Sequence, residues 1–277
     1  MRHDPFLIYC QQHFSHSPRT LYRYVRWIRR LCTYALCQHP TQITFTHIQG
    51  FLGTLTMHSP LTCNQAYAAI RLIYHDLLWP QMSLAFRAEF DQRFPKLRAK
   101  NPHHLPQSAL DKATILAWLD RIPQQPHQLV AKMCYGSGLK LSEAVALRPE
   151  DLLLAAYSLQ INGRITTVAR NLVPDLHRQC QRARLEQSTW LFPSPNTPLR
   201  HISANAVQKA LAAARSDDIP VGAGAACLRN SFMVHLLQAG LNARTVQVMA
   251  GIKTWQHIER FIRLAGLHLP KSPADFP

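Results

Sequence analysis

Leu21, Val25, Ile28 and Leu31 recur at spacings of four, three and three, which places them on one face of an α-helix. Ser17-Pro18 stands just before them, a candidate N-cap followed by a proline at the first turn. The pattern therefore predicts a helix running through TLYRYVRWIRRLCTYAL. Two more helices fit TFTHIQGFLGTL and LTCNQAYAAIRLIYHDLL. From Leu31 to Ile70 there is no charged side chain, so this stretch reads as buried helices and loops. The periodicity breaks in KNPHHLPQS, a proline-interrupted polar run typical of a linker.

Beyond the linker, helices fit ALDKATILAWLDRI and HQLVAKMCYGSG. A hairpin follows, YSLQI then NGR then ITTVAR. Further helices fit LVPDLHRQCQRARLE, SANAVQKALAAARS, RNSFMVHLLQAG, NARTVQVMAG and WQHIERFIRLAG. Gly240 and Gly251 fall where helix C-caps belong, and Asn242 where an N-cap belongs. No internal repeat or low-complexity segment is visible. The expected organisation is a helical domain over residues 1–100, a linker over 101–108 and a second domain over 109–277. The expected class is mainly α with a small β-hairpin or sheet.

Charge changes the picture. Lys and Arg total 31 against 15 Asp and Glu, a formal net charge of +16 in 277 residues. At 47% apolar the chain is too hydrophobic for a disordered basic tail, so a folded partner of a polyanion is indicated. Arg19, Arg23, Arg26 and Arg30 form a stripe on the first long helix. No acid lies between Asp4 and Asp76, so these like charges repel unless an anion lies alongside. Duplex DNA is the expected anion. The segment leading into the linker, with Arg98 and Lys100, could follow a DNA backbone or serve as a solvated strap.

Other classes recede. No apolar run of ~18 residues suggests a membrane span, and the N-terminus has too short an apolar segment for a signal peptide. An odd number of cysteines, seven, implies no disulfide framework, so a cytoplasmic, nucleoid-associated protein is expected. Cys10, His13 and His16, and then Cys32, Cys37 and His39, are metal-ligand types without zinc-site spacing. VGAGAA lacks the lysine of a phosphate loop. No metal or cofactor is expected.

The segment GSGLKLSEAVALRPEDL (136–152) carries the chemistry. It resembles the G-L-R-x-S-E-x-x-x-L-x-x-x-D box of the tyrosine recombinase (phage integrase) family, matched by Gly138, Leu139, Ser142, Glu143, Leu147 and Asp151. Gly163-Arg164, then LVP, ACLRNSFMVHLLQAG and VQVMAGIKTW, are similar to that family's later boxes. The resemblance covers nearly the whole chain. It implies the two-domain tyrosine-recombinase fold, a core-binding domain that clamps duplex DNA with the second domain, and a phosphoryl-transfer site. In that chemistry a tyrosine attacks the backbone phosphorus while cations stabilise the phosphate oxygens.

The resemblance also assigns the site positions: Lys140 for the first arginine, Arg164 for the hairpin lysine, Ala226 for the first histidine, Arg229 for the second arginine, Ile252 for the second histidine and Phe261 for the tyrosine. Tyrosines occur only at 9, 22, 24, 34, 67, 74, 135 and 157. On this basis the family's catalytic set is not intact, and the expectation is a degenerate member that is not an enzyme. It would bind DNA as a transcriptional regulator or as an accessory factor of a mobile element. The expected DNA contacts are Arg19, Arg23, Arg26, Arg30, Arg98, Lys100, Lys140, Arg164 and Arg229. Expected partners are double-stranded DNA, a homo-oligomer on DNA or an active recombinase, and no membrane. Two alternatives stay open. One is an active recombinase with a non-standard nucleophile, Tyr157 or one supplied by a partner. The other is a helix-turn-helix repressor, suggested by FMVHLLQAGLNARTVQVMAG.

Overall fold

The computed structural model describes residues 4–58, 60–94, 109–123 and 125–267. The chain divides into two compact units, Met1–His103 and His104–Pro277. Arg98 and Lys100 lie outside the described residues.

The first unit is built of helices α1 (Pro5–His13), α2 (Pro18–Tyr34), α3 (Phe45–Thr54), α4 (Pro60–Arg71) and α5 (Leu84–Arg93). Helix α2 begins as its sequence requires: Ser17 Oγ accepts from the Thr20 N–H at 3.2 Å, and Pro18 occupies the first turn. Leu21, Val25, Ile28 and Leu31 are no more than 2% exposed. Burial of each such side chain contributes roughly 1.5–3 kcal/mol. They pack in one cluster with Ile48, Phe51, Ile70 and Ile73.

The predicted helix over residues 61–78 is present but changes pitch. Helix α4 passes into a π-helical turn over Leu72–Leu77, closed by the Leu78 N–H to the Ile73 carbonyl at 2.8 Å. Tyr74, in this turn, is fully buried, and its hydroxyl donates to the Pro40 carbonyl at 2.9 Å. Helices α1 and α5 are additions to the sequence-based expectation. Ser83 caps α5 through the Phe86 N–H, and Phe86 and Phe90 stack one turn apart at 5.6 Å.

The second unit contains α6 (Lys112–Asp120), α7 (Gln125–Gly136), the short α8 (Leu141–Val145), α9 (Val173–Leu185), α10 (Ala204–Ala213), α11 (Ala225–Gln238), α12 (Ala243–Ala250) and α13 (Trp255–Leu264). Strands β1 (Leu152–Leu153), β2 (Ser158–Ile161) and β3 (Arg164–Thr167) form an antiparallel sheet in the order β1-β2-β3. The expected hairpin is thus present, with one strand more. Asn162 and Gly163, at φ 49° and 73°, make the two-residue turn, and Ile161 pairs with Arg164. Two consecutive positive φ values suit Asn-Gly and match the twist of the strands. A second hairpin, β4 (Pro193–Ser194) with β5 (Thr197–His201), is not evident in the residue pattern.

Two apolar clusters organise this unit. The larger centres on Trp118, Val130, Leu139, Leu176, Phe192 and Leu228. The smaller joins Phe232, Leu237, Val246, Ala250, Ile258 and Phe261 from α11, α12 and α13. Among the described residues no helix is long and apolar enough to cross a membrane, and no group of three His, Cys, Asp or Glu side chains could hold a metal ion.

Candidate functional site

The motif residues of the second unit gather around one carboxylate. Gly138 takes φ +64°, a left-handed conformation that suits glycine, and Lys140 then serves as N-cap of α8. Glu143, three residues on, folds back so that its Oε2 accepts the Lys140 backbone N–H at 2.8 Å. The Glu143 side chain is only 8% exposed. From β3, Arg164 reaches it with both arms of its guanidinium: Nη1 donates to Oε1 at 3.1 Å and Nη2 to Oε2 at 2.7 Å. Asn162 Nδ2 adds a contact to Oε1 at 3.3 Å. Arg229 Nη1, from α11, lies 3.8 Å from Oε2.

The C-terminal end of α12 supplies the other acceptors. Arg164 Nε donates to the Met249 carbonyl at 3.0 Å, and Arg229 Nη2 to the Ala250 carbonyl at 2.5 Å. Arg229 Nη1 also donates to the Gly138 carbonyl at 2.6 Å. The last carbonyls of a helix lack partners within it and carry the negative end of its dipole, so two guanidiniums there are well placed. Gly251 ends α12 at φ 63°, and a Cβ added to it would lie 2.9 Å from Arg164 Cζ. The glycine predicted as a C-cap thus also makes room for the arginine.

Electrostatics keep this cluster charged. Burial pushes the Glu143 carboxyl up, but the Arg164 hydrogen bonds, the Lys140 N–H and the charges of Arg164 and Arg229 outweigh it and hold the carboxyl below its ordinary range. Burial lowers the Arg229 guanidinium, and Glu143 opposes that shift. Two guanidiniums, Arg164 and Arg229, share one carboxylate, so the cluster carries excess positive charge. A guanidinium has five N–H donors, and the contacts above leave some on each arginine uncommitted. Such an arrangement can hold an oxyanion. The Lys140 side chain is exposed and joins the cluster through its backbone N–H.

The remaining assigned positions differ in setting. Ala226 is exposed, Ile252 is half-buried and Phe261 is 1% exposed within the smaller apolar cluster. The Arg260 guanidinium lies 4.4 Å from the Phe261 ring centre. Tyr157 is half exposed in a left-handed conformation, with Arg170 stacked 4.8 Å from its ring centre. Tyr135 Oη is 3.0 Å from His235 Nδ1.

In the first unit, Arg19, Arg23, Arg26 and Arg30 are all exposed along α2. Asp4 pairs with Arg29, which lies off the stripe. Among the described residues no carboxylate is paired with any of the four. Sequence reasoning could pair Arg229 with Glu143 but did not join Arg164 to it, and it passed over the Met249 and Ala250 carbonyls. The acid was visible in the motif, whereas backbone acceptors leave no mark in residue identity.

A helical unit is followed by a mixed unit in which Arg164 and Arg229 converge on a buried glutamate that the Lys140 backbone N–H also meets. The phage integrase family model matches residues 110–267, and the phage integrase N-terminal SAM-like domain model matches residues 8–82. The chain belongs to the phage integrase family. An integrase/recombinase of Escherichia coli is 26% identical over 192 residues, which are 65% of this chain and 52% of that protein. Tyrosine recombinase XerC of Stutzerimonas stutzeri is 29% identical over 149 residues, 52% of this chain and 50% of that protein. The matched region thus spans about half the length of these curated relatives. The Tn1549 transposon integrase, solved in complex with circular intermediate DNA, has a TM-score of 0.65 at 15% identity, covering 91% of each chain. That likeness bears on the fold.

These relatives correct one expectation. The sequence reading took the chain for a non-enzyme because Lys140, Arg164, Ala226, Ile252 and Phe261 all depart from the family's catalytic set. The matched relatives carry the names of recombinases, which are enzymes, and the family match covers residues 110–267, a range that includes Phe261. The expectation of a non-enzyme does not stand against these relatives.

Proposed function

We propose that this chain binds duplex DNA and takes part in site-specific DNA recombination by strand transfer. The observation that carries the reading is the pair of guanidiniums, Arg164 and Arg229, oriented by Glu143 and by the α12 carbonyls inside the integrase-type unit. Phosphoryl transfer depends chiefly on positioned cations around the phosphate oxygens, and a preorganised pair meets that need without rearrangement at the moment of reaction. In this reading Lys140, Arg164 and Arg229 hold the scissile phosphate, and the α2 arginine stripe grips flanking backbone. The attacking hydroxyl comes from Tyr157 or from a tyrosine of a partner protomer, since Phe261 has none. Assembly on DNA as an oligomer follows from the need for two strands to be exchanged.

The test is a covalent-adduct assay with nicked duplexes that carry the ends of the element encoding the protein. A denaturant-resistant, protease-sensitive protein–DNA adduct that maps to a tyrosine supports strand transfer. No adduct, with steeply salt-dependent duplex binding intact, overturns strand transfer and leaves DNA binding. Loss of both overturns the whole reading.

A further inference from the structure

Cys32 and Cys37 gained no role from their spacing as metal ligands, yet the backbone brings them together. Helix α2 ends with Leu36 in the left-handed region, at φ 54°. The Cys37 N–H donates to the Cys32 carbonyl at 3.0 Å, and the Leu36 N–H to the Thr33 carbonyl at 3.3 Å. These two bonds form a complete Schellman motif, whose geometry places the side chains of its first and sixth residues, here Cys32 and Cys37, against each other. Both cysteines are half-buried, and both line one cavity of about 970 Å³ together with Ile28, Arg29 and His39. Burial first, and the neighbouring Cys37 second, push the Cys32 thiol up, as expected for two sulfurs within electrostatic reach. The other cysteines are placed differently. Cys10, Cys134, Cys180 and Cys227 are buried, and Cys63 does not line this cavity.

We propose that Cys32 and Cys37 are a modification site that closes into a reversible intramolecular disulfide when the protein meets a hydroperoxide. The cavity gives a small peroxide a way in, and the 3.0 Å bond from the Cys37 N–H to the Cys32 carbonyl brings the two backbones close enough to place their Cα atoms in the range a disulfide spans. The Cys37 thiolate attacks one peroxide oxygen, breaks the O–O bond and becomes a sulfenic acid, while the released hydroxide takes up a proton to give water. The Cys32 sulfur then attacks the Cys37 sulfur, the S–O bond breaks, and a second water leaves with the remaining thiol proton. Two thiols and one hydrogen peroxide thus yield one disulfide and two waters. A thiol reductant reverses the change. The bridge would fix the C-terminal turn of α2, the helix that carries the arginine stripe.

The experiment uses the full chain, reduced and then treated with hydrogen peroxide. Cleavage after Tyr34 separates Cys32 from Cys37, so the two fragments stay joined only through the bridge. The expected result is a joined pair lighter by two hydrogens, released by dithiothreitol, with two alkylatable thiols lost. Cys63→Ser should leave that loss unchanged. In Cys32→Ser, Cys37 should be trapped by dimedone as a sulfenic acid, and Cys37→Ser should abolish the bridge. Unchanged thiol counts, sulfenic acid without a bridge in the unmodified chain, or a bridge mapping to other cysteines would each overturn the proposal.

Discussion

Arg164 and Glu143 are bound face to face, with two N–H···O contacts of 3.1 and 2.7 Å between side chains that are 10% and 8% exposed. A bidentate pair of this kind fixes direction as well as charge. It ties the β2–β3 hairpin to the start of α8, and the Nε contact to Met249 ties both to the end of α12. Three segments distant in sequence thus meet at one guanidinium.

Glu143→Gln should cost about 3 kcal/mol or more, because two buried arginines lose their shared counter-charge. The pH dependence follows from the depressed carboxyl. A group whose folded value lies below its unfolded one, near 4.5, contributes stability that is fully present above that pH. The contribution is lost as pH falls through the lower, folded value. Urea titrations should therefore show a constant gap between the native chain and the variant above about pH 5, narrowing as pH falls below 4.5. A gap that does not change with acid would show that the pair contributes nothing through its charge.

Gly251→Ala meets two obstacles. The residue sits at φ 63°, and the new Cβ would press on the Arg164 guanidinium at 2.9 Å. The left-handed conformation alone costs about 1–2 kcal/mol for a residue with a side chain. Gly240→Ala has the positive φ of 87° but nothing within 4 Å. Thermal melting should place Gly251→Ala below Gly240→Ala. Equal melting temperatures would mean that Arg164 yields freely.

How much of this was legible beforehand varies with the physical signal. Helix α2 was fully readable, since cap, proline and apolar period all agree. The Asn-Gly hairpin was readable from its turn residues. Helix α8 has five residues, too few to show a period, and the π turn at Leu72–Leu77 leaves the apolar pattern of a helix unbroken. At the site, residue identities named Lys140, Arg164 and Arg229, but not their acceptors. The bond from Arg164 to Met249 spans 85 residues, and no local pattern encodes it.

Phe261→Ala should destabilise the second unit by about 3–5 kcal/mol, the usual cost of removing a buried aromatic ring. The ring is 1% exposed and packs with Val246, Ala250 and Ile258. Ile258 and Phe261 hold α13 on the apolar cluster that also contains Ala250, whose carbonyl accepts Arg229. Chemical denaturation, with duplex affinity measured per folded molecule, separates stability from binding. A loss below 1 kcal/mol would mean that α13 is only loosely seated.

The arginine stripe makes the most direct prediction about DNA. Arg19, Arg23, Arg26 and Arg30 are exposed on one helix, and the acid nearest in sequence, Asp4, is committed to Arg29. Cations that neutralise phosphates release condensed counterions, so affinity should fall steeply as salt rises. Each Arg→Ala at a true phosphate contact should lower the magnitude of the log–log slope by about 1. Arg30 is partly engaged, its guanidinium 4.7 Å from the Trp27 ring centre, so its replacement should matter least. Arg29→Ala is the matched control, because it removes one charge that an internal carboxylate already answers. Titrations of duplex against protein at several salt concentrations would measure all five slopes. If the quadruple variant keeps the native slope, or if Arg29→Ala lowers it as much as Arg23→Ala does, α2 does not lie along the DNA backbone.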